Sequence, residues 1–528
     1  MTGDELIALR RELDQAISDR EHYRELYLSL LEKCRKLELG IVGPKSERLS
    51  GNEQQLSMML LATLLGDGAA EGAESAPAAT QTVQEHERAK PTGRKPLPEN
   101  LPRIEIEIVP PEVEREGKDA FERIGADTSE VLERRRASLV VVKTIRGKWV
   151  RKDRERCAET EVVVAPPPAL PIERGLAGPG LLADTIVKRW EDHLPLNRQE
   201  KIFAREGVEI ARSTICQWHI ELAALATPLL LAMWKDALGS PYLCTDATGV
   251  LVQDRDKCRN GHFWIVIAPG RHVLYAYTPK HDRAAVDSLL ADYKGYLVAD
   301  AHAVYDHLFA TGDVVEVGCW AHARRYYFQA LETEPELARE ALAILGALFR
   351  IERLLANGPP GKRYSVRLRE SKPIVERFFA WCEAARPRVL DETPIARAIG
   401  YSLNQREALS RFLSDGRLPL HNNDSERGLR REVVGRKNWL FLGSDEGGAV
   451  NATFVSLLAS CRLHGIEPWS YLRDLFCLLP DWPVLRVLDL APANWNQTRQ
   501  QQHTQQRLAA NVYRAITLDE PSPHRQDQ

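Results

Sequence analysis

The segment from residue 241 to 321 constrains the fold of this 528-residue chain most, because its predicted strands and helices follow a restricted order. Short apolar runs predict five strands, at Tyr242–Thr245, Phe263–Ala268, Val273–Tyr277, Tyr296–Ala299 and Val314–Val317. A helical pattern over about 283–293 precedes the fourth strand, and a second precedes the fifth. The order predicts a three-stranded meander followed by strand, helix and strand in one α/β sheet.

Two of these strands run directly into a carboxylate, in Tyr-Leu-Cys-Thr-Asp246 and in Tyr-Leu-Val-Ala-Asp300. The strand order is that of a ribonuclease H-like fold, in which the first and fourth strands are central neighbours. Asp246 and Asp300 are therefore predicted to end their strands and to converge at one edge of the sheet. A lone aspartate at a strand end usually forms a turn or caps a helix. Two at these positions favour a shared site.

A third carboxylate is predicted in the first turn of a basic helix. Residues 422–425 (Asn-Asn-Asp-Ser) are strong N-cap types, so the helix should begin there and carry Glu426 near its start. The basic residues that follow are predicted to track a DNA strand; they are Arg427, Arg430, Arg431, Arg436 and Lys437. Glu426 alone could merely complement the helix dipole, but that role does not explain so many neighbouring guanidinium groups.

The three carboxylates predict a metal-dependent phosphoryl transfer. Asp246, Asp300 and Glu426 are expected to hold two Mg²⁺ ions, with Mn²⁺ able to substitute, because Mg²⁺ takes one or two carboxylates and completes its shell with water and phosphate. In Gly-Cys-Trp-Ala-His322-Ala-Arg324-Arg325, His322 is expected to support these carboxylates without binding the ion. Arg324 and Arg325 are expected to contact phosphate. This combination is typical of enzymes that cut and rejoin DNA.

Composition places the chain among intracellular proteins with several structural units. A length of 528 residues exceeds one core, and a net charge of -3 means that any DNA-binding surface must be local. The nine cysteines are scattered singly, which fits reduced thiols better than disulfides. The early acids and arginines and the lack of a long uninterrupted apolar run favour a cytoplasmic, nucleoid-associated protein without a membrane span.

A basic hairpin precedes the core. Between Arg134 and Arg156 the chain has ten Lys or Arg against two acids, within a pattern of two strands around a turn. The residues predicted to contact DNA here are Arg134, Arg135, Arg136, Lys148, Arg151 and Lys152. A solvated hairpin face is the alternative. A helix, glycine turn and helix follow within 196–218 and resemble a helix-turn-helix, a pattern that many helical hairpins share without binding DNA.

Together the patterns predict a ribonuclease H-like α/β core with a large helical insertion, an N-terminal coiled-coil helix, a small β-rich basic module and a helical DNA-binding region. Leu6, Leu13, Tyr27, Leu30 and Leu37 lie at heptad spacing in the N-terminal segment, which predicts homo-oligomerisation through that helix; a helix packed on its own domain is the alternative. The predicted units are 1–42 (coiled coil), 43–100 (linker with basic arm), 101–168 (basic β module), 169–238 (helical region), 239–332 (first part of the core), 333–418 (helical insertion), 419–480 (end of the core) and 481–528 (C-terminal tail).

Several motifs resemble one known family, the insertion-sequence-sixty-six family of bacterial transposases. They are Asn-Asn-Asp-Ser-Glu-Arg, Gly-Arg-Lys-Asn-Trp-Leu-Phe-Leu-Gly-Ser-Asp-Glu-Gly-Gly, Gly-Cys-Trp-Ala-His-Ala-Arg-Arg and Asp-His-Leu-Pro-Leu-Asn-Arg-Gln. The resemblance runs from about residue 6 to 478 and implies a DDE transposase that acts on the terminal repeats of its element and on target DNA. By position, Asp246, Asp300 and Glu426 match the triad of that family. The resemblance also implies small accessory proteins from the same element.

The chain departs from the family pattern at three places. The zinc module of the family carries paired cysteines, whereas here the stretch from Glu114 to Gly125 replaces the first pair and only Cys157 remains of the second, so no zinc is expected. His421 stands where the family usually has aspartate, and Ala301-His302 replaces a common Gly-Tyr. A catalytically inactive end-binding repressor and a structure-specific nuclease on the same fold are the two alternatives.

Overall fold

The structure is a computed structural model, and it describes residues 97–518 apart from positions 100, 136–137, 153–161 and 256. The predicted coiled coil and nearly all of the predicted linker lie outside the described residues, as do Arg136 and Cys157. Within the described part, the chain divides into two compact units. One comprises 322–359 and 365–406, and the other comprises 97–321, 360–364 and 407–518, within the described positions.

The basic β module is a four-stranded sheet in the larger unit. Its strands are β1 Arg103–Ile108, β2 Phe121–Arg135, β3 Ser138–Arg151 and β4 Val162–Val164, and a short helix, α1 Pro111–Glu116, lies between the first two. β3 is central, antiparallel to β2 and β4 and parallel to β1. Val140, Val141 and Val142 are fully buried. The predicted hairpin is present, and its apolar run forms core on both faces of the sheet.

Three helices follow the module, α2 Pro179–Trp190, α3 Leu196–Arg205 and α4 Arg212–Leu238. Gly207, with φ +84°, makes the turn after α3, as the predicted helix–glycine–helix pattern requires. α4 is long and apolar enough to cross a membrane by length and composition. Its residues Ile215, Leu222 and Leu229 are fully buried against the rest of the unit, as in the core helix of a globular protein.

The central sheet has the predicted strands in the order β7-β6-β5-β8-β9. Their bounds are β5 Tyr242–Val252, β6 Arg259–Ala268, β7 His272–Thr278, β8 Gly295–Val298 and β9 Val314–Val317. β5, β6 and β7 form an antiparallel meander, and β8 and β9 are parallel to β5. Helix α5 Arg283–Leu290 precedes β8, and the short helix α6 Asp306–Phe309 precedes β9.

The smaller unit is helical. The helices from residue 320 onward are α7 Trp320–Gln329, α8 Pro335–Leu354, α9 Pro360–Val366, α10 Lys372–Ala385, α11 Pro394–Asn404 and α12 Arg406–Ser410. A buried ion pair joins two of its segments, since both Nε and Nη2 of Arg367 lie 2.7 Å from the carboxylate oxygens of Glu352. Arg367 is fully buried, so this pairing offsets the cost of removing its charge from water.

The chain returns to the central sheet with α13 Asn423–Trp439 and α14 Asp445–Leu463, and the last helices are α15 Pro468–Leu478, α16 Pro492–Thr498, α17 Gln502–Ala510 and α18 Val512–Leu518. α14 runs along the outer edge of β7. Ser456 Oγ accepts from the Tyr275 amide at 2.7 Å, and Ser460 Oγ accepts from the Val273 amide at 3.1 Å.

This edge contact depends on matched spacing. One further turn along α14, His464 Nε2 lies 2.8 Å from the Arg271 carbonyl oxygen. Four residues of a helix rise about 6 Å and two residues of a strand about 6.6 Å, so every fourth helix position meets every second strand position. Side chains of α14 thereby satisfy backbone groups of β7 that face away from β6.

Candidate active site

Asp246 lies within a strand and not at its end. β5 continues to Val252, with Asp246 opposite Ile265 of β6, whereas the parallel pairing with β8 stops at Cys244 and Val298. The prediction that Asp246 terminates the strand is therefore wrong. The physical reason is that β6 pairs with β5 well beyond the point where β8 leaves it. Asp246 sits where one edge of β5 has lost its neighbour, which opens space beside the carboxylate.

Asp300 follows β8 by two residues and borders the same space. Asp246 and Asp300 both line a cavity of about 250 Å³, which is completed by Ala247, Tyr305 and three histidines, His262, His281 and His302. Burial raises the pKa of Tyr305, and the nearby charges of Asp300 and Asp246 raise it further. The charges of both predicted carboxylates therefore affect the Tyr305 hydroxyl, which agrees with the predicted convergence of Asp246 and Asp300 at this edge of the sheet.

The three histidines form one aromatic wall of the cavity. His281 stacks on Trp264, with ring centroids 4.6 Å apart and an interplanar angle of 4°. Its ring also lies 5.1 Å from that of His262 and 4.7 Å from that of His302. Burial lowers the pKa of His281, and the neighbouring imidazoles of His302 and His262 lower it further. An imidazole ring can donate an N–H to a ligand, so this wall offers hydrogen-bond donors to the cavity.

Sequence reasoning missed most of this wall. His302 was noticed only as a departure from the family pattern, and His262 and His281 carried no signal. His262 comes from β6, His281 from the segment before α5 and His302 from the segment after β8. No fixed spacing connects these positions, because the sheet topology alone brings them together.

The helix that carries Glu426 packs on the face of the sheet to which Asp246 points. Asp246, Ile265 and Tyr275 are directly opposite one another across three strands, so their side chains share a face. Tyr275 Oη donates to the Gly428 carbonyl at 2.9 Å, and a Cβ at Gly428 would lie 2.2 Å from Ile265 Cδ1. The close approach of α13 to the sheet therefore depends on a glycine two residues after Glu426.

The start of α13 is tied to β5 by a buried amide. Asn422 is fully buried, and its Nδ2 donates to the carbonyl of Thr245 at 2.7 Å. The Glu426 amide in turn donates to the Asn422 carbonyl at 3.3 Å, closing the first turn of the helix. Glu426 is half-buried, and it is not among the residues that line the cavity. The anchor nevertheless fixes the turn that carries Glu426 beside the residue preceding Asp246.

The donor set suits a divalent ion bound through oxygen. Two carboxylates face one polar cavity, and Mg²⁺ needs only one or two of them if water and phosphate oxygens complete its shell. Among residues 97–518, apart from the positions that are not described, no three His, Cys, Asp or Glu side chains are grouped closely enough to hold one ion. Asp246 and Asp300 thus form the assembled part of the candidate site.

Several residues predicted to contact DNA form ion pairs within the protein. Arg134 Nη1 lies 3.0 Å from Glu206, Lys148 Nζ lies 2.6 Å from Asp127, and Arg151 pairs with Glu116. The Arg134 side chain is only 17% exposed, whereas Lys148 and Arg151 stay more open to solvent. The side chain of Arg135 lies outside the described structure, and Lys152 is exposed.

The basic residues of α13 divide between interior and surface. Arg431 is 8% exposed and pairs with Glu191, and Arg436 bonds to Thr248 Oγ1 at 3.1 Å and to the Gly249 carbonyl. These two guanidinium groups hold the helix against neighbouring elements, so we assign them a structural role. Exposed positions on the same helix are Arg427, Arg430 and Lys437. In the helical unit, His322 is half-buried on α7, and Arg324 and Arg325 are exposed.

Residues 174–450 match the family described as "Transposase IS66 family", residues 456–493 match "IS66 C-terminal element", and residues 29–106 match "Transposase C of IS166 homeodomain". Two relatives from Sinorhizobium fredii (strain NBRC 101917 / NGR234) are similar along most of their length. The uncharacterized protein y4hP is 29% identical over 495 residues, which is 88% of each chain. The uncharacterized protein y4qI is 32% identical over 430 residues, covering 77% of this chain and 78% of y4qI.

Proposed function

This chain belongs to the IS66 family of transposases, and from that premise we propose that it is a DDE transposase that cleaves DNA at the ends of an insertion sequence and joins them to target DNA. The observation that carries the proposal is the cavity shared by Asp246 and Asp300, beside which Asn422 holds the helix of Glu426. Carboxylates from two adjacent strands and one helix are what this chemistry needs in one place.

The fold of the core supports the same conclusion. A meander of three antiparallel strands followed by two parallel strands, in the order β7-β6-β5-β8-β9, is the arrangement expected of a ribonuclease H-like core. α13 covers the face of this sheet that carries Asp246. We therefore assign the α/β core to the ribonuclease H-like class, with the helices of residues 322–359 and 365–406 as the insertion.

DDE transposases generally use divalent metal ions, and we propose that Asp246, Asp300 and Glu426 hold two Mg²⁺ ions here, with Mn²⁺ able to substitute. When bound, such ions lower the pKa of a coordinated hydroxyl and stabilise the charge that develops on the phosphate. The carboxylates of this chain would position the ions, and its cationic side chains would neutralise phosphate charge. No zinc ion is part of the proposal, because residues 101–168 contain a single cysteine, Cys157.

The wall of histidines is suited to hold the scissile phosphate. His262, His281 and His302 line the cavity, and their imidazole N–H groups can donate to non-bridging phosphate oxygens. The stack of His281 on Trp264 fixes the orientation of its ring before DNA arrives. Fixed donors cost little reorganisation when the reaction proceeds, so this wall would favour a single orientation of the phosphate.

Exposed cations would bind the backbone of the element end and of the target. The proposed contacts are Lys148, Arg151, Lys152, Arg324, Arg325, Arg427, Arg430 and Lys437, and their contribution should weaken steeply with salt. The match at residues 29–106 supports a leucine-zipper-like N-terminal region, through which we propose that copies of the chain associate. Small accessory proteins from the same element and a nucleoid-associated location in the cytoplasm complete the proposal.

A strand-transfer assay tests this function. The full-length protein is incubated with a plasmid that carries the inverted repeats flanking its coding sequence, with Mg²⁺ or Mn²⁺, and joined products are sequenced. Cleavage at the repeat ends with joining to target DNA is the expected result. Binding to the ends without any nick would instead indicate a repressor, and nicking that ignores the repeats would indicate a structure-specific nuclease.

A further inference from the structure

The end of α13 has a strained turn with two exposed apolar side chains. Leu440 has φ +66° and ψ -51°, and the Phe441 amide donates to the Trp439 carbonyl at 2.9 Å. These values describe a γ-turn of the rare type with positive φ, which is strained for residues other than glycine. Such strain persists only where the surrounding structure enforces it.

Anchors on both sides enforce this turn. Before it, the Leu440 amide donates to the Arg436 carbonyl at 2.7 Å, and Arg436 itself bonds to β5. After it, the Leu442 amide donates to the Leu251 carbonyl at 2.8 Å, and the Gln253 amide donates back to the Leu442 carbonyl at 2.8 Å. These hydrogen bonds fix the backbone on both sides of Leu440 and Phe441, and the side chains of these two residues project from the surface.

The projecting residues are strongly exposed for their type. Leu440 is 64% exposed and Phe441 is 42% exposed. Leu251, whose backbone holds Leu442, adds a third apolar side chain that is 40% exposed. We name Leu440 and Phe441 the apolar tip. It is too small for a stable protein interface, which needs several hundred Å² from each partner.

A row of cations leads from the candidate active site to the apolar tip. Three of the residues in this row are cations, Arg427, Arg430 and Lys437, and Val434 lies between the last two. All four positions are exposed, and their intervals of three or four residues place them on one face of α13. The row begins one residue after Glu426 and ends three residues before Leu440. At a rise of 1.5 Å per residue, the 14 residue steps from Glu426 to Leu440 span about 21 Å, or roughly six base pairs of duplex.

We propose that the apolar tip enters the base stack of the element-end duplex about six base pairs from the cleaved phosphate, while Arg427, Arg430 and Lys437 follow the intervening backbone. The proposal rests on the proposed function only in placing Glu426 at the cut. Duplex DNA is the occupant that fits, because three exposed cations precede the tip along α13 and because apolar wedges between base steps are an established way to kink DNA. The strained turn would keep both side chains extended before DNA binds.

The test uses the full-length protein and a duplex carrying the terminal inverted repeat, with 2-aminopurine placed at one position at a time and no divalent ion present. Wild-type protein should raise the fluorescence several-fold at one step about six base pairs from the cut, because unstacking relieves quenching. The double variant Leu440→Asn, Phe441→Ser should lose that signal and bind about tenfold more weakly. The matched control is Leu485→Asn, since Leu485 is fully exposed at 101% and lies outside α13.

Further measurements separate the proposed wedge from the proposed transposase function. Asp246→Asn should keep the fluorescence signal while losing strand transfer, because unstacking needs no metal ion. Strand transfer by wild-type protein without a signal at any position would overturn the wedge and leave the function standing. A double variant that binds the duplex with an unchanged signal would also overturn it, as would a change in oligomeric state without a DNA effect. Phe441→Leu keeps an apolar tip and should retain the signal. This variant is the control for misfolding as the cause of the signal loss in the double variant.

Discussion

Asn422 Nδ2 donates to the carbonyl oxygen of Thr245 at 2.7 Å, which ties the start of the Glu426 helix to the residue before Asp246. Asn422→Ala should lower the free energy of unfolding by about 1–3 kcal/mol, because a buried hydrogen bond is lost. It should lower strand transfer about a hundredfold, because small displacements of a reacting group are costly. Thermal melts and strand-transfer assays check both effects, with Asn423→Ala as the neighbouring amide control. Equal effects of both variants would contradict the anchoring role.

The carboxylate assignment predicts separation of binding from chemistry. Asp246→Asn, Asp300→Asn and Glu426→Gln should each lower strand transfer by roughly a thousandfold or more, because several kcal/mol of transition-state stabilisation depends on bound ions. Gel-shift affinity for the element ends should stay within a few-fold. Asp254→Asn, at an exposed position beyond β5, is the control. Substantial activity in any of the three would remove that residue from the site.

The histidine wall predicts a loss of chemistry without a loss of packing. His281→Phe keeps an aromatic ring on Trp264 but removes the N–H donor, so strand transfer should fall by about 10-fold to 100-fold, the usual worth of a hydrogen bond to a charged group. The melting temperature should hardly change. His503→Phe is a matched control, since His503 also packs on a tryptophan, Trp482, outside the cavity. Wild-type activity in His281→Phe would exclude a phosphate contact from this ring.

Adjacent glycines at the start of α14 should respond oppositely to alanine. A Cβ at Gly448 would lie 2.5–2.8 Å from ring atoms of Tyr277, so Gly448→Ala should lower the free energy of unfolding by about 1–3 kcal/mol. A Cβ at Gly447 would meet only Ser444 Oγ at 3.6 Å. Gly447→Ala should therefore be neutral or should stabilise by up to about 1 kcal/mol through helix propensity. Denaturant titrations of the pair provide the measurement.

Glu133 should make stability depend on pH. This carboxylate is fully buried against the start of α2, where Oε1 accepts from the Leu181 amide at 2.8 Å, and burial raises its pKa from 4.5 to about 8. Below pH 4.5 both folded and unfolded states are protonated. Between pH 4.5 and 8 the folded state keeps a proton that the unfolded state releases, so the free energy of unfolding falls by about 1.4 kcal/mol per pH unit as pH rises.

The variant Glu133→Gln isolates this contribution. It should flatten the fall in the free energy of unfolding between pH 4.5 and 8, whereas Glu122→Gln, at an exposed position on the same strand, should leave the slope unchanged. The measurement is the denaturant midpoint of each variant at several pH values between 4.5 and 8. A slope in Glu133→Gln as steep as in the wild type would mean that Glu133 does not hold the proton.

The strands of the central sheet could be predicted from the sequence because each of them contains a short apolar run. β9 was placed at Val314–Val317 from sequence, and the structure has the same bounds. β5 was predicted to end at Thr245 but extends to Val252, since pairing with β6 continues the strand through the polar and small residues 246–249 to the apolar run Val250–Val252. Strand existence is a local property, whereas strand length depends on a partner that is distant in sequence.

The same distinction applies to the site. Asp246, Asp300 and Glu426 could be predicted as candidate site residues because each follows a recognisable strand or capping pattern. The histidine wall was missed because His262, His281 and His302 meet only after the sheet has formed. Likewise, Arg431 looked like one more DNA-facing cation, and only the packing of α13 shows that its charge is enclosed with Glu191. Charge density in a sequence does not say which cations face inward.

The hydroxyls of Ser456 and Ser460 have a consequence for how copies of this protein can associate. Unpaired amide and carbonyl groups along an edge strand can form hydrogen bonds with a strand of another molecule. Here those positions on β7 are already taken by α14. Two copies of this chain therefore cannot pair their central sheets through the β7 edge, and any association between copies must use other surfaces.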